Sequence, residues 1–133
     1  MRIFISIFAA LFLTVSAHAD YSIKGRVSLA PALAAKAAPE DTVFIFARAA
    51  LGPRMPLAVA RIKVKDLPYR YTLNESMSMS PEMTLAQFPE VKIFARVSKA
   101  GEAMARSGDL EGISAVIKTG SKDVNVVINT VMP

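Results

Sequence analysis

The chain has 133 residues, 53% of them hydrophobic, and it contains one histidine, no cysteine and no tryptophan. Without cysteine, disulfide frameworks and thiolate zinc or blue-copper centres are excluded. The 16 Lys and Arg side chains outnumber the 11 Asp and Glu side chains, which gives a net charge of +5. The length is that of one domain with a hydrophobic core of its own.

Residues 1–19 have the three-part layout of a cleavable secretory signal peptide. Arg2 gives a charged start, and an apolar run of 13 residues follows, broken only by one Ser and one Thr. Ala17 and Ala19 then place small residues at the positions that a signal peptidase reads. The run is shorter than the roughly 20 residues that cross a bilayer core. We expect export to the periplasm and a mature domain of residues 20–133, with a retained membrane anchor as the alternative.

Removal of this segment would also remove the only histidine, His18, so the mature chain would lack His, Cys and Trp. Catalysis by Ser-His or Cys-His pairs and zinc binding through His or Cys would then be excluded. Two carboxylate pairs remain, Glu40 with Asp41 and Asp109 with Glu111, and both lie beside Gly or Pro. We interpret them as solvated turns, and we expect no enzymatic activity.

The basic side chains of the mature chain are spread along it, with no block of five like charges. Cleavage would leave 15 basic against 11 acidic residues, a net charge of +4. A nucleic-acid surface requires a dense basic stripe with aromatic side chains for stacking. We therefore expect no nucleic-acid partner and at most weak contact with a membrane surface.

Alternation of apolar and polar residues dominates the mature chain and predicts about seven short β-strands. The predicted strands are 21–29, 42–50, 57–65, 69–73, 91–98, 113–118 and 123–131. Gly, Pro, Ser and Asp clusters separate most of these segments and mark turns. The spacing predicts an all-β fold, a β-sandwich. The Ala-rich segment 31–39 is expected to be an ordered loop with at most one helical turn, because prolines bound it.

The second predicted strand is almost continuously apolar, as a central strand is. We expect Phe44 or Phe46, but not both, to point into the sandwich, with Val43, Ile45 and Ala47 sharing the other face. One short repeat involves the same strand. Its residues 45–48, Ile-Phe-Ala-Arg, recur at 93–96. Two similar hairpins, or convergence of two core strands, would both produce this repeat.

Three methionines lie close together, at Met77, Met79 and Met83. Their thioether sulfurs are soft donors that select Cu(I), and the spacing is similar to that of Met-rich copper motifs. Methionine side chains also fill irregular gaps in cores and adapt to varied partners. Strand alternation predicts that Met77 and Met79 lie on one side. We favour packing or partner contact, and keep Cu(I) binding as the alternative function.

Six segments occur in an order and spacing that point to a known family: VFIFARA at 43–49, GPRMPLAV at 52–59, YTLNESMSM at 71–79, FPEV at 88–91, ARVSKAG at 95–101 and SGDLEG at 107–112. Together they resemble the C-terminal domain of c-type cytochrome biogenesis protein H, over roughly residues 21–132. The resemblance implies an immunoglobulin-like (Ig-like) β-sandwich without the Cys-Trp-Cys core of antibody domains. It also implies a non-enzymatic role beside apocytochrome c or the haem-attachment machinery.

The resemblance carries over no catalytic residue and no cofactor. In that family the domain follows membrane helices and a helical-repeat segment, whereas this chain is expected to have its own signal peptide and no repeat segment. We expect a binding or scaffold module whose partner is a protein. The candidate contact residues lie in or near the loop 76–88: Met77, Met79, Met83, Phe88, Arg48, Arg54, Met55 and Arg96.

The first prediction concerns export. Mass spectrometry of the exported protein should give a chain that begins at Asp20, because Ala17 and Ala19 define the cleavage site. Retention of residues 1–19 would contradict cleavage of the signal peptide and favour a membrane anchor.

Overall fold

The computed structural model describes residues 20–133. The predicted signal peptide at 1–19 lies outside the described residues. The described part of the chain contains nine strands: β1 Ile23–Leu29, β2 Thr42–Ala49, β3 Ala58–Lys63, β4 Tyr69–Leu73, β5 Glu90–Ser98, β6 Leu110–Ile113, β7 Ile117–Lys118, β8 Val126–Ile128 and β9 Thr130–Val131. No helix within this part is long and apolar enough to cross a membrane.

The strands form two sheets that pack face to face, so the predicted all-β sandwich is confirmed. The small sheet has the order β4-β1-β8, in which β1 pairs with β4 antiparallel and with β8 parallel. The large sheet has the order β3-β2-β5-β6-β9, and β7 pairs with β5 beside that path. Two of the nine strands, β7 and β9, have only two residues each.

Four short 3₁₀ helices lie between the strands, at Pro31–Lys36, Val64–Asp66, Glu75–Met77 and Leu85–Gln87. The first is longer than the single turn expected for the Ala-rich segment. Proline at its first position suits a helix start, because that N–H has no helical partner. Leu33 anchors the helix by packing against the core.

The core lies between the sheets and follows the period of two. In β2, Val43, Ile45 and Ala47 are fully buried in the core. Phe44 and Phe46 both lie on the outer face of the large sheet, in a separate cluster. The expectation that one of these two phenylalanines points inward is therefore wrong. Residues two apart in a strand share a face, so both had to lie on one side.

The prediction of a single strand over 113–118 is also wrong. The structure divides this segment between the last residue of β6 and the two-residue strand β7. Ser114 causes the break. Its backbone N–H donates to the Ile93 carbonyl, and its hydroxyl accepts from the Ile93 N–H, both at 2.8 Å. The serine thus satisfies both backbone groups of Ile93, and the regular strand ladder ends there.

The predicted strand 123–131 is interrupted as well, since the chain passes from one sheet to the other. β8 belongs to the small sheet, and β9 pairs with β6 in the large sheet. Two glycines allow this path. A Cβ at Gly25 would lie 1.8 Å from the Val124 carbonyl oxygen, and one at Gly112 would lie 2.2 Å from the Val127 carbonyl oxygen. No other residue type leaves room for the backbone at these two positions.

Tyr71 fixes the same segment from inside. Its side chain is fully buried, and its hydroxyl donates a hydrogen bond of 2.6 Å to the Val124 carbonyl. Burial raises the pKa of the Tyr71 phenol well above its usual range. This one buried polar group joins β4 to the loop that leads into β8.

Tyr71→Phe should lower the free energy of unfolding by about 1–3 kcal/mol, because the buried Val124 carbonyl would lose its partner. Tyr69→Phe is the matched control, since Tyr69 lies on the same strand and is 37% exposed. Urea denaturation measures both. Equal stability of Tyr71→Phe and the wild type would contradict this role.

The raised pKa predicts a second difference between the two variants. The neutral phenol contributes stability that is fully present below the unfolded-state pKa of about 10. That stability is lost as the pH rises further, because the unfolded chain ionises first. Tyr71→Phe should lose less stability than Tyr69→Phe between pH 9 and pH 11, as followed by urea denaturation.

Candidate functional site

Two loops that carry most of the candidate contact residues leave the same end of the sandwich. The β2–β3 loop spans 50–57, and the β4–β5 loop spans 74–89. The register pairs Ala47 with Ala58 and Ala49 with Val91, so both loops start or end at this edge of the large sheet. We call these two loops together the methionine end.

The loop 74–89 is held by its own turns. The Asn74 side chain accepts from the Ser76 N–H at 3.0 Å and begins the 3₁₀ helix at Glu75–Met77. The Gln87 side chain accepts from the Thr84 N–H at 3.0 Å at the next 3₁₀ helix. Leu85, the first residue of this second 3₁₀ helix, is fully buried. The loop is therefore a folded element with its own anchor in the core.

The three methionines of this loop have different surroundings. Met77 and Met83 are half-buried and pack against the core, whereas Met79 is 65% exposed. The expectation that Met77 and Met79 share a side is not met, because Met77 belongs to a 3₁₀ helix and strand alternation does not extend through it. Phe88 packs against the core as Met77 does.

The exposed apolar side chains of the methionine end are Leu51, Met55 and Met79, at 89%, 50% and 65% exposure. Arg54 is exposed beside Met55. Leu51 was missed by sequence reasoning. Two flexible thioethers and a leucine are thus exposed on loops that are anchored in the core through Leu57 and Leu85.

Arg48 and Arg96 lie on the outer face of the large sheet, on β2 and β5. Phe46 and Phe94 are directly paired across these strands and stack with ring centroids 5.1 Å apart. The Arg48 guanidinium lies 4.6 Å from the Phe94 ring centroid, and that of Arg96 lies 5.3 Å from the Phe46 centroid. The repeated Ile-Phe-Ala-Arg sequence thus forms two reciprocal cation–π contacts between neighbouring strands.

Arg96 is committed to the structure of this face. Its guanidinium contacts the Glu111 carboxylate at 2.7 Å and donates to the Ala103 carbonyl at 3.1 Å. Only 7% of the residue is exposed. Arg61, which sequence reasoning missed, covers the Phe44 ring at 5.0 Å in the same way. Seven of the eight candidate residues lie at or beside the methionine end. The eighth, Arg96, lies apart from it on β5, where it binds Glu111.

The opposite end of the sandwich carries ion pairs. Glu40 contacts Lys63 at 2.6 Å and Lys65 at 3.0 Å, and the hydrogen bonds from these two ammonium groups lower the pKa of its carboxyl group. For Asp41, burial opposes ionisation, but hydrogen bonds from Lys99 and from the Ala38 N–H outweigh it and lower the pKa.

Both acidic pairs predicted as solvated turns act as structural links. In the second pair, Asp109 accepts from two backbone N–H groups, and Glu111 binds Arg96.

The described residues do not bring together the ligands that most metal sites contain. Among residues 20–133 there is no group of three or more His, Cys, Asp or Glu side chains that could hold a metal ion. The thioether site of Met77, Met79 and Met83 remains a prediction.

Comparison with known proteins agrees with this architecture. The family described as the cytochrome c-type biogenesis protein H Ig-like domain matches residues 23–129. The chain belongs to this family. As a family member, the domain is an Ig-like sandwich whose matched region covers all but the last of the nine strands.

Two relatives contain regions that are similar in sequence to this Ig-like domain. The cytochrome c-type biogenesis protein CycH of Pseudomonas aeruginosa is 37% identical over 119 residues, which is 90% of this chain and 26% of that protein. An uncharacterized protein of Aquifex aeolicus is 35% identical over 111 residues, which is 82% of this chain and 71% of that protein. The chain thus spans about a quarter of the Pseudomonas protein. No solved structure gives a significant match.

The different surroundings of the methionines in this Ig-like domain give a prediction. Met77→Ser should lower the free energy of unfolding by about 1 kcal/mol or more, because it removes packing against the core. Met77→Leu conserves volume and should cost less. Met79→Ser is the control and should leave thermal unfolding unchanged, since Met79 is 65% exposed. A larger loss for Met79→Ser than for Met77→Ser would overturn this division.

Proposed function

We propose that this Ig-like domain is a non-enzymatic periplasmic binding module that assists c-type cytochrome biogenesis and contacts a protein partner through its methionine end. The observation that carries the proposal is the contrast within that end. Leu51, Met55 and Met79 are exposed, while Met77 and Leu85 hold the loop 74–89 against the core and Leu57 is buried at the end of the loop 50–57. Apolar side chains on an ordered support are a feature of protein-binding surfaces.

The partner follows from the family. The Pseudomonas relative is named as a cytochrome c-type biogenesis protein, and this chain matches about a quarter of it. Apocytochrome c, or a component of the haem-attachment machinery, is therefore the partner class that we propose. A thioether and leucine surface can adapt to several unfolded or partly folded segments, because methionine side chains change conformation at low cost.

The non-enzymatic assignment rests on side-chain chemistry. Residues 20–133 contain no His and no Cys, so the usual nucleophile–base pairs cannot be assembled from them. The buried carboxylates are used in structural contacts, as for Asp109 and Glu111. Binding and positioning of a partner is the function that these residues support.

The double variant Met55→Ser with Met79→Ser tests the proposed surface. In a strain that lacks this gene, wild-type protein should restore haem-stained c-type cytochromes, and the double variant should not. The reason is that two exposed apolar contacts would be lost without loss of core packing. Met104→Ser is the matched control, because Met104 is 78% exposed in the loop between β5 and β6 at the other end of the sandwich.

Three outcomes are informative. A deletion strain with normal c-type cytochromes would contradict the role in biogenesis. Equal loss of function in the double variant and in Met104→Ser would contradict the assigned surface. Replacement of both Met55 and Met79 by Leu should retain function, because the proposed contact is apolar. A requirement for sulfur at Met77, Met79 and Met83 would instead favour the Cu(I) alternative.

A further inference from the structure

The outer face of the small sheet carries a concentration of positive charge. Arg26 of β1 and Arg70 of β4 are directly opposite one another in the antiparallel register. Lys24 is two residues from Arg26 on the same exposed face, opposite Thr72. Like charges directly opposite in a sheet are destabilising. The fold therefore accepts a small local cost at this pair.

Within the described part of the chain, these three cations form neither an ion pair nor a cation–π contact. None of the six ion pairs found within residues 20–133 involves Lys24, Arg26 or Arg70. None of the three cation–π contacts there involves them either. On the large sheet, by contrast, Arg48 and Arg96 cover phenylalanine rings, and Arg96 is also bonded to Glu111.

The charged face is concave. A cavity of about 650 Å³ opens between β1, β4 and the loop before β8. Its lining includes the basic side chains Lys24, Arg26, Arg70 and Lys122, the carboxylate of Asp123 and the amide of Asn125. The volume lies within the range of small-molecule sites, about 300–1,000 Å³.

The wall of this groove is fixed before any ligand binds. The Lys24 N–H donates to the Ser121 carbonyl at 3.2 Å, and the Val124 N–H donates to the Lys24 carbonyl at 2.9 Å. The Arg26 N–H donates to the Asn125 side-chain oxygen at 3.1 Å. Lys122 is held at the rim by Asp20, at 3.1 Å. An ordered wall reduces the entropy that a ligand would lose on binding.

We infer that this groove, which we call the arginine groove, binds a small phosphate-bearing anion. Two arginines at directly opposite positions of neighbouring strands line this one cavity, and guanidinium groups bind a tetrahedral anion through their planar forks. Lys24 adds a point charge beside them, while Lys122 at the rim is already paired with Asp20. A dianion matches this charge better than a single carboxylate does, and a concave site of this size suits a compact ligand. This site is distinct from the methionine end and goes beyond the proposed function.

The test uses the mature protein, residues 20–133, and inorganic pyrophosphate as the probe. At low ionic strength, pyrophosphate should raise the melting temperature and shift the backbone amide resonances of residues 24–26, 70–72 and 121–125. Arg26→Gln with Arg70→Gln should weaken binding at least about tenfold. Without pyrophosphate this variant should be no less stable than the wild type, because the repulsion between the two arginines is removed.

The matched control changes the same number of charges elsewhere. Lys65→Gln with Arg106→Gln removes two exposed cations that already have carboxylate partners. This control should keep the wild-type affinity for pyrophosphate. Equal weakening in both double variants, or no binding by the wild type to either phosphate source, would overturn the proposal.

A second arm distinguishes the sources of phosphate. Vesicles that contain phosphatidylglycerol are compared with vesicles of phosphatidylcholine alone in co-sedimentation. Binding of pyrophosphate without vesicle binding supports a soluble ligand, whereas vesicle binding that is lost in Arg26→Gln with Arg70→Gln supports a lipid headgroup. A hexaglutamate peptide that binds more tightly than pyrophosphate would instead indicate an acidic protein segment and contradict the phosphate assignment.

Discussion

The antiparallel register between β2 and β5 determines the rest of this structure. It pairs Phe46 with Phe94 on the outer face and places Ile45 opposite Ala95 in the core. A shift of one residue would move every inward side chain of a strand to the other face. The stacked phenylalanines, 5.1 Å apart and covered by two reciprocal arginines, favour this one register.

The register also positions the surfaces that we assign. Because Ala49 pairs with Val91, the loops 50–57 and 74–89, which carry the exposed Met55 and Met79, leave the same end of the sandwich. The two sheets then use arginine differently. On the large sheet, guanidinium groups cover aromatic rings and complete a structural face. On the small sheet, Arg26 and Arg70 face each other without such partners among the described residues.

Much of this architecture follows from local sequence. Alternation of apolar and polar residues predicted the main strands, and the order of six segments predicted the family. The sidedness of β2 could not be predicted from residue type, because both of its faces are apolar. The outward position of Phe44 and Phe46 depends on arginines that come from β2, β3 and β5, and this is tertiary information. The same limit explains the break at Ser114, which depends on its pairing with Ile93.

The candidate site was predicted in part. The loop around Met77 and Met79 was identified from composition, but the 3₁₀ helix that separates a packed methionine from an exposed one was not. The fold brings Arg26 and Arg70 together on the small sheet, and their spacing in the sequence gives no sign of it. The exposure of Leu51 likewise follows from its place in the β2–β3 loop.

Contact between the methionine end and the apparatus of c-type cytochrome maturation can be measured in living cells with a photo-crosslinking residue at position 79 of this protein. We expect a covalent adduct with an apocytochrome c or a haem-attachment component, and no such adduct from the same residue at position 104. Adducts from both positions in equal yield, or from position 104 alone, would show that the methionine end is not the contact surface.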